Sequence, residues 1–408
     1  MITEDSENFV LYKPFTEDLD QISTINHEEK ENIREKAKLA ITDYMRSLNE
    51  MEVFINETYL KHTRPGLGVG SWDRGMDYYK ACLKWHTSLQ LSPEEVHRKG
   101  LEEVSRISTQ MKAIFRKMGM NGSIKDGFNQ LKNDSSYFLK TEDEVVSTFE
   151  DIIQRQIEPK LNTLFKDNPN LPLVVEPMPY NGPLGMYLTG SPDGTKPGTF
   201  QVNGLHPLEM PTFGFMALAL HETVPGHHLQ GWALYAEYLG EEMGVYKTDA
   251  QMLGRYSEEI FRACRLVVDT GLHYMGWSRK QAIEYMSNYT ASGENELSNE
   301  INRYITWPGQ ACAYKIGELK IKELRKKAEE ELGNLFDIKD FHSVVLKNGP
   351  MPLNILETVI DSWIEEVKRK PPTTPPNRKT NTNTGCVPSP NVYMQSLLLF
   401  VILHFVKN

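Results

Sequence analysis

This chain of 408 residues has few cysteines and no excess of positive charge, and each shortage excludes a class of protein. Cys82, Cys264, Cys312 and Cys386 lie far apart and form no C-x-x-C pair, so they build neither a zinc ribbon nor a disulfide scaffold. Lys and Arg number 45 against 55 Asp and Glu, a formal net charge of -10, whereas a nucleic-acid binder needs a basic face. No nucleic-acid partner is expected. The N-terminus, Met1-Ile2-Thr3-Glu4-Asp5-Ser6-Glu7, lacks the basic and apolar regions of a signal peptide, and no internal repeat is visible. The longest apolar run, near the C-terminus, falls short of the roughly 20 residues that a helix needs to span a bilayer.

That run, Ser396 to Val406, follows a stretch from Pro371 to Pro390 rich in Pro, Thr and Asn. A polar stalk ending in a short apolar tail matches a glycolipid-anchor signal, a docked terminal helix, or an alternative tail. The expected locations are a membrane or extracellular anchor for the complete form, and otherwise the cytoplasm. Asn56, Asn121, Asn133 and Asn288 each open an N-x-S/T triplet, which fits secretion and also arises by chance. The expected division is an N-terminal extension over 1–27, one helical body over 28–369, and a disordered stalk and tail over 370–408.

Within the body, the near-helical spacing of Ile33, Ala37, Leu39, Ile41, Tyr44, Met45 and Leu48 predicts a long helix over about 28–62. Ser92-Pro93-Glu94-Glu95 reads as a helix start: an N-cap, a proline at the first position, and acids in the first turn. Residues 172–203 change character, with Leu173-Val174-Val175, Gly185 to Thr189, and Thr199 to Asn203 around a Ser191-Pro192-Asp193-Gly194 turn. They predict a small antiparallel β patch, either an ordinary surface hairpin or an edge strand that holds an extended peptide. Helices are expected again over about 231–243, 249–275, 278–292, 295–305, 309–332 and 352–367. The fold class is mainly α.

The densest chemistry lies in His221-Glu222-Thr223-Val224-Pro225-Gly226-His227-His228, which follows an apolar run from Phe213 to Leu220. Two histidines four apart on a helix can share one zinc ion, with an adjacent glutamate as base. Here position 225 is proline, and the spacing fails. On an unbroken helix His228 lies about 10 Å farther along, and His227 points roughly 120° away from His221. A distortion at Pro225-Gly226, where proline breaks the hydrogen-bond ladder and glycine permits a turn, brings His227 or His228 back to His221. The alternative is a set of capping and core histidines at a helix end.

His221 to Gln230, Gly231-Trp232-Ala233-Leu234-Tyr235-Ala236-Glu237, Arg265 to His273, and Trp307-Pro308-Gly309-Gln310-Ala311 occur in order and resemble the family called "domain of unknown function 885". The resemblance covers about Gly68 to Val367. It implies a gluzincin-type helical metallopeptidase that binds zinc through two histidines and a downstream glutamate. The resemblance also implies a longer N-terminus, often with a signal peptide, and a few tens of residues between the H-H-L-Q and G-W-A-L-Y-A-E segments. In this chain those segments are fused, and Gln230 stands where a ligand glutamate is expected.

The expected metal ligands are therefore His221, His227 and His228, with Glu237 or Glu242 as a substitute third ligand. The expected catalytic groups are Glu222 as proton carrier, and His273 or Tyr314 for the oxyanion, a role that Tyr304 and Lys315 could also fill. Arg265 and Asp269, four apart, form a helix-face pair, or Asp269 orients a ligand imidazole. Arg303 is expected to bind a peptide carboxylate. The leading expectation is a zinc-dependent peptidase acting on a peptide substrate and impaired by the missing ligand. The alternatives are an inactive peptide- or partner-binding form, and a metal-dependent esterase or amidase on the same scaffold.

Overall fold

The computed structural model describes residues 5–63, 66–166, 172–191, 194–227 and 232–369. The tail and its apolar run, and also His228, Gln230 and Gly231, lie outside the described residues. The first half of the chain carries α1 (Lys13–Glu17), α2 (His27–Phe54), α3 (Gly75–Thr87), α4 (Pro93–Lys117), α5 (Ile124–Lys132), α6 (Glu142–Asp151) and α7 (Glu158–Leu161). Strands β1 (Leu173–Pro177), β2 (Gly185–Leu188) and β3 (Gly198–Val202) follow. Next come α8 (Phe215–Glu222), α9 (Ala233–Glu242), α10 (Asp249–His273), α11 (Arg279–Tyr289), α12 (Glu294–Thr306), α13 (Ala313–Leu332), α14 (Ile338–Lys347) and α15 (Leu353–Arg369). The mainly helical expectation therefore holds.

Local sequence explains where the helices start. Asn26 accepts from the Glu29 N–H at 2.9 Å while Glu29 accepts from the Asn26 N–H at 3.1 Å, a reciprocal cap that opens α2. Ser92 and Glu95 cap α4 in the same way, with Pro93 at its first position. Three helices escaped the sequence reading: the short α1 in the N-terminal extension, α5 and α14. Ser123 with Asp126 caps α5, and Asp337 accepts from the Lys339 N–H to open α14. Both were marked by a capping residue ahead of an apolar period.

The N-terminal residues form helical turns whose Tyr12 packs on Ala37, Ile41 and Met45 of α2. The centre of the body is α10, which is buried almost continuously from Leu266 to His273 and packs on α4, α8, α11 and α13. Gly100 of α4 makes the α4–α10 crossing possible, because a Cβ there would sit 2.7 Å from Val267 Cγ2.

The β patch differs from its expectation in one respect. Its order is β1-β3-β2: β2 pairs antiparallel with β3, but β1 pairs parallel with β3, Leu173 opposite Gly198 and Pro177 opposite Val202. The cause is the connection over 178–184, which crosses the end of β3 before β2 runs back. Asn203 holds this connection by donating from Nδ2 to Gly182 O at 2.7 Å and Asn181 Oδ1 at 3.2 Å. Alternate residues of β3, including Phe200 and Val202, face the core, and β2 is left at an edge beside α8.

Candidate metal centre

Helix α8 is short and apolar, with Phe215, Met216, Ala217, Ala219 and Leu220 buried, so it is held by packing on nearly every side. It stops at Glu222. The Thr223 hydroxyl donates to Ala219 O at 2.5 Å, the Val224-Pro225 bond is cis, and the chain folds back over the helix end. Only glycine fits at position 226, where a Cβ would lie 2.0 Å from His221 O and 2.3 Å from Leu220 O. The Trp232 indole N–H donates to Pro225 O at 2.6 Å and fixes the turn from the far side.

This turn brings His227 to His221. Their ring centroids lie 5.0 Å apart with planes at 78°, and one ligand atom from each of His221, Glu222 and His227 lies within 4.8 Å of the others. The helix ends rather than bulges, but the Pro-Gly break has the expected consequence for His227. All three residues are partly exposed.

Glu237 comes from α9, which packs along α8. Its Oε1 lies 2.6 Å from His221 Nδ1, and its side chain is only 3% exposed. Glu237 stands outside the three-residue group and meets it through His221 Nδ1, a contact that leaves Nε2 as the other nitrogen of that imidazole. Burial pushes its carboxyl well above the ordinary range, against the opposing charge of Arg262. Tyr246 donates to its backbone carbonyl at 2.9 Å. Glu242 is engaged elsewhere, 2.9 Å from Arg325.

Glu222 is fixed from the sheet. Its Oε2 accepts from the Tyr187 N–H of β2 at 3.1 Å, a backbone contact that no side-chain pattern could reveal.

The other expected site residues form separate networks. Asp269 accepts from the Tyr79 hydroxyl at 2.6 Å and the Gly309 N–H at 3.0 Å, so it clamps the Trp307-Pro308-Gly309 turn and does not orient a ligand imidazole. His273 is spent on both nitrogens, with Nδ1 accepting from the Val69 N–H at 3.2 Å and Nε2 donating to Tyr304 O at 2.9 Å. Neither ring nitrogen is left to bind an oxyanion. Arg265 does not pair with Asp269; it bonds the Tyr304 hydroxyl and Glu300, each at 2.9 Å. Arg303 grips Glu300 and Gln310. Tyr314, 38% exposed, accepts from Gln310 Nε2 at 2.9 Å beneath the Arg265 guanidinium.

Lys315 is fully buried among Glu103, Glu259 and Glu318 at 2.9, 2.8 and 2.7 Å. The sequence reading missed these three acids. They come from α4, α10 and α13, and only their shared lysine reveals them.

Two imidazoles and a carboxylate at one point form a donor set that suits a borderline divalent ion such as zinc. A mainly helical body with a three-stranded sheet and a His-Glu-His group at a broken helix end defines the class. The chain belongs to the family described as "Bacterial protein of unknown function (DUF885)", whose model matches residues 2–230 and 231–360. The two matches abut at Gln230-Gly231, the fused junction.

Among solved structures, one described as a "putative lipoprotein" from Colwellia psychrerythraea is 31% identical with a TM-score of 0.84, covering 90% of this chain and 68% of its own. A second, from Shewanella oneidensis and described as a "putative lipoprotein of unknown function", is 19% identical with a TM-score of 0.66, covering 85% of this chain and 70% of its own. No curated protein matches. No helix among the described residues is long and apolar enough to cross a membrane.

Proposed function

We propose that the chain is a metal-dependent hydrolase of the gluzincin type, with peptide amides as substrates. The observation that carries this reading is the convergence of His221, Glu222 and His227, with the buried Glu237 on His221 Nδ1. A carboxylate behind an imidazole fixes its tautomer and raises its basicity, as metal-ligating histidines require. His221 and His227 would hold the ion, which supplies Lewis acidity to a water and a scissile carbonyl. Glu222, held by the Tyr187 N–H beside both imidazoles, is placed to take a proton from that water and deliver it to the leaving amine. The edge strand β2 gives an extended peptide a line of backbone partners leading to Glu222.

A second reading, a peptide-binding form with little turnover, draws on the junction. With Glu222 as proton carrier, His221 and His227 are two protein ligands where a catalytic zinc usually has three. The lipoprotein description of the Colwellia psychrerythraea structure supports an envelope location.

The test is metal analysis and peptide turnover of the zinc-supplemented protein beside Glu222→Gln. The expected result is bound zinc with slow turnover that falls at least about 100-fold in the variant. Turnover that ignores Glu222, or protein that takes up no zinc, overturns the reading.

A further inference from the structure

The edge strand has a neighbourhood of distinctive composition. Residues 178–191, running from Met178 through β2 to Ser191, contain no Asp, Glu, Lys or Arg in a chain where those types make up 25%. In the segments that lead into β2 and out of β3, four large apolar side chains face solvent: Tyr180 at 49%, Leu184 at 53%, Leu205 at 45% and Leu208 at 69%.

Asn203 ties the two loops that carry them. Its N–H donates to Leu184 O at 3.1 Å and its Nδ2 holds Gly182 O, while the chain continues directly into Leu205 and Leu208. Exposed apolar side chains grouped on neighbouring loops mark interaction sites.

The position of this patch identifies its occupant. Tyr187 turns its N–H outward from β3 to Glu222, and because strand backbone groups alternate, Gly185 presents its own on the same outer side. Gly185 and Tyr187 are about 7 Å apart along the strand. A peptide added to β2 with its reacting amide near Glu222 therefore lays a side chain one or two residues away onto the patch.

We infer that Tyr180, Leu184, Leu205 and Leu208 form a specificity subsite for a large apolar side chain of an extended peptide bound along β2. The inference rests on the peptide-hydrolase reading and adds the substrate class. Acidic side chains are disfavoured there, since the 178–191 stretch offers no counter-charge, Glu209 stands next to Leu208, and burying an unpaired charge is costly.

Binding to the Glu222→Gln protein, with and without zinc, tests the subsite by fluorescence anisotropy, using labelled blocked alanine pentapeptides with one central Leu or Asp. The Leu peptide is expected to bind at least about 10-fold more tightly. The double variant Leu184→Ser, Leu208→Ser is expected to erase that preference. Both side chains are exposed, so an unchanged thermal melt establishes that the fold survives.

Equal affinity for the two peptides, or a preference that survives the double variant, overturns the inference. So does a wild-type dimer that the double variant dissolves, because the patch would then be a contact with a second copy. Failure of zinc uptake sinks the hydrolase reading alone, since the Leu preference is also measured without metal.

Discussion

Replacing Glu237 is the sharpest probe of the metal centre, because its carboxylate touches an expected ligand without belonging to the group itself. The contact to His221 Nδ1 is 2.6 Å and the Glu237 side chain is 3% exposed, so solvent has little access to this contact. Removing such a partner typically costs 10–100-fold in metal affinity, about 1.4–2.7 kcal/mol. The burial of the contact puts Glu237→Leu near the upper end. Glu237→Gln still accepts from Nδ1 and is expected to lose less, about 10-fold.

Competition with a chromogenic zinc chelator reads both affinities, and a metal-free melt separates them from folding. Glu237 Oε2 is buried without a hydrogen-bond partner, so leucine removes a costly polar atom and the metal-free melting temperature is expected to stay close to wild type. What falls is the stabilisation gained on adding zinc, which depends on the dissociation constant. A Leu variant that binds zinc within two-fold of wild type would refute the idea that Glu237 prepares His221.

Two further predictions concern residues the fold uses for itself. Lys315→Met leaves Glu103, Glu259 and Glu318 without their shared cation and should cost about 3 kcal/mol, the low end for a broken buried pair because Arg106 and Lys322 remain. Adding Glu318→Leu should recover part of that loss, and a double variant no better than the single would contradict the orphan-charge argument. Burial opposes ionisation of Glu103, but the Arg106 hydrogen bond and the Lys315 charge hold its carboxyl down to about 2 from the ordinary 4.5. Its contribution is therefore present above pH 4.5 and disappears as pH falls toward 2, so the melting gap between wild type and Lys315→Met should narrow over that window. His273→Leu strands the Val69 N–H and the Tyr304 carbonyl and should cost about 2–4 kcal/mol while leaving zinc affinity unchanged; a large affinity loss in a well-folded variant would restore His273 to the site.

The sequence by itself determined the helical class, the capped start at Ser92, and the point where α8 had to break. These are local matters, decided by a side chain within three or four residues of the backbone it satisfies. Pro225-Gly226 belongs with them, since no regular helix passes through it.

Tertiary structure alone decided what the polar residues of α10 do. Arg265, Asp269 and His273 stand four apart on one helix, yet each is claimed by a group from another element: Glu300 for the arginine, Tyr79 and Gly309 for the aspartate, and Val69 for the histidine. Glu237 acquired its role only because α9 lies against α8, and Glu222 met Tyr187 only because the 178–184 connection carried β2 to the sheet edge. Helical spacing names the residues that can share a face. A partner 16 or 35 residues away is chosen by packing, because buried polar groups must find a mate wherever the chain places one.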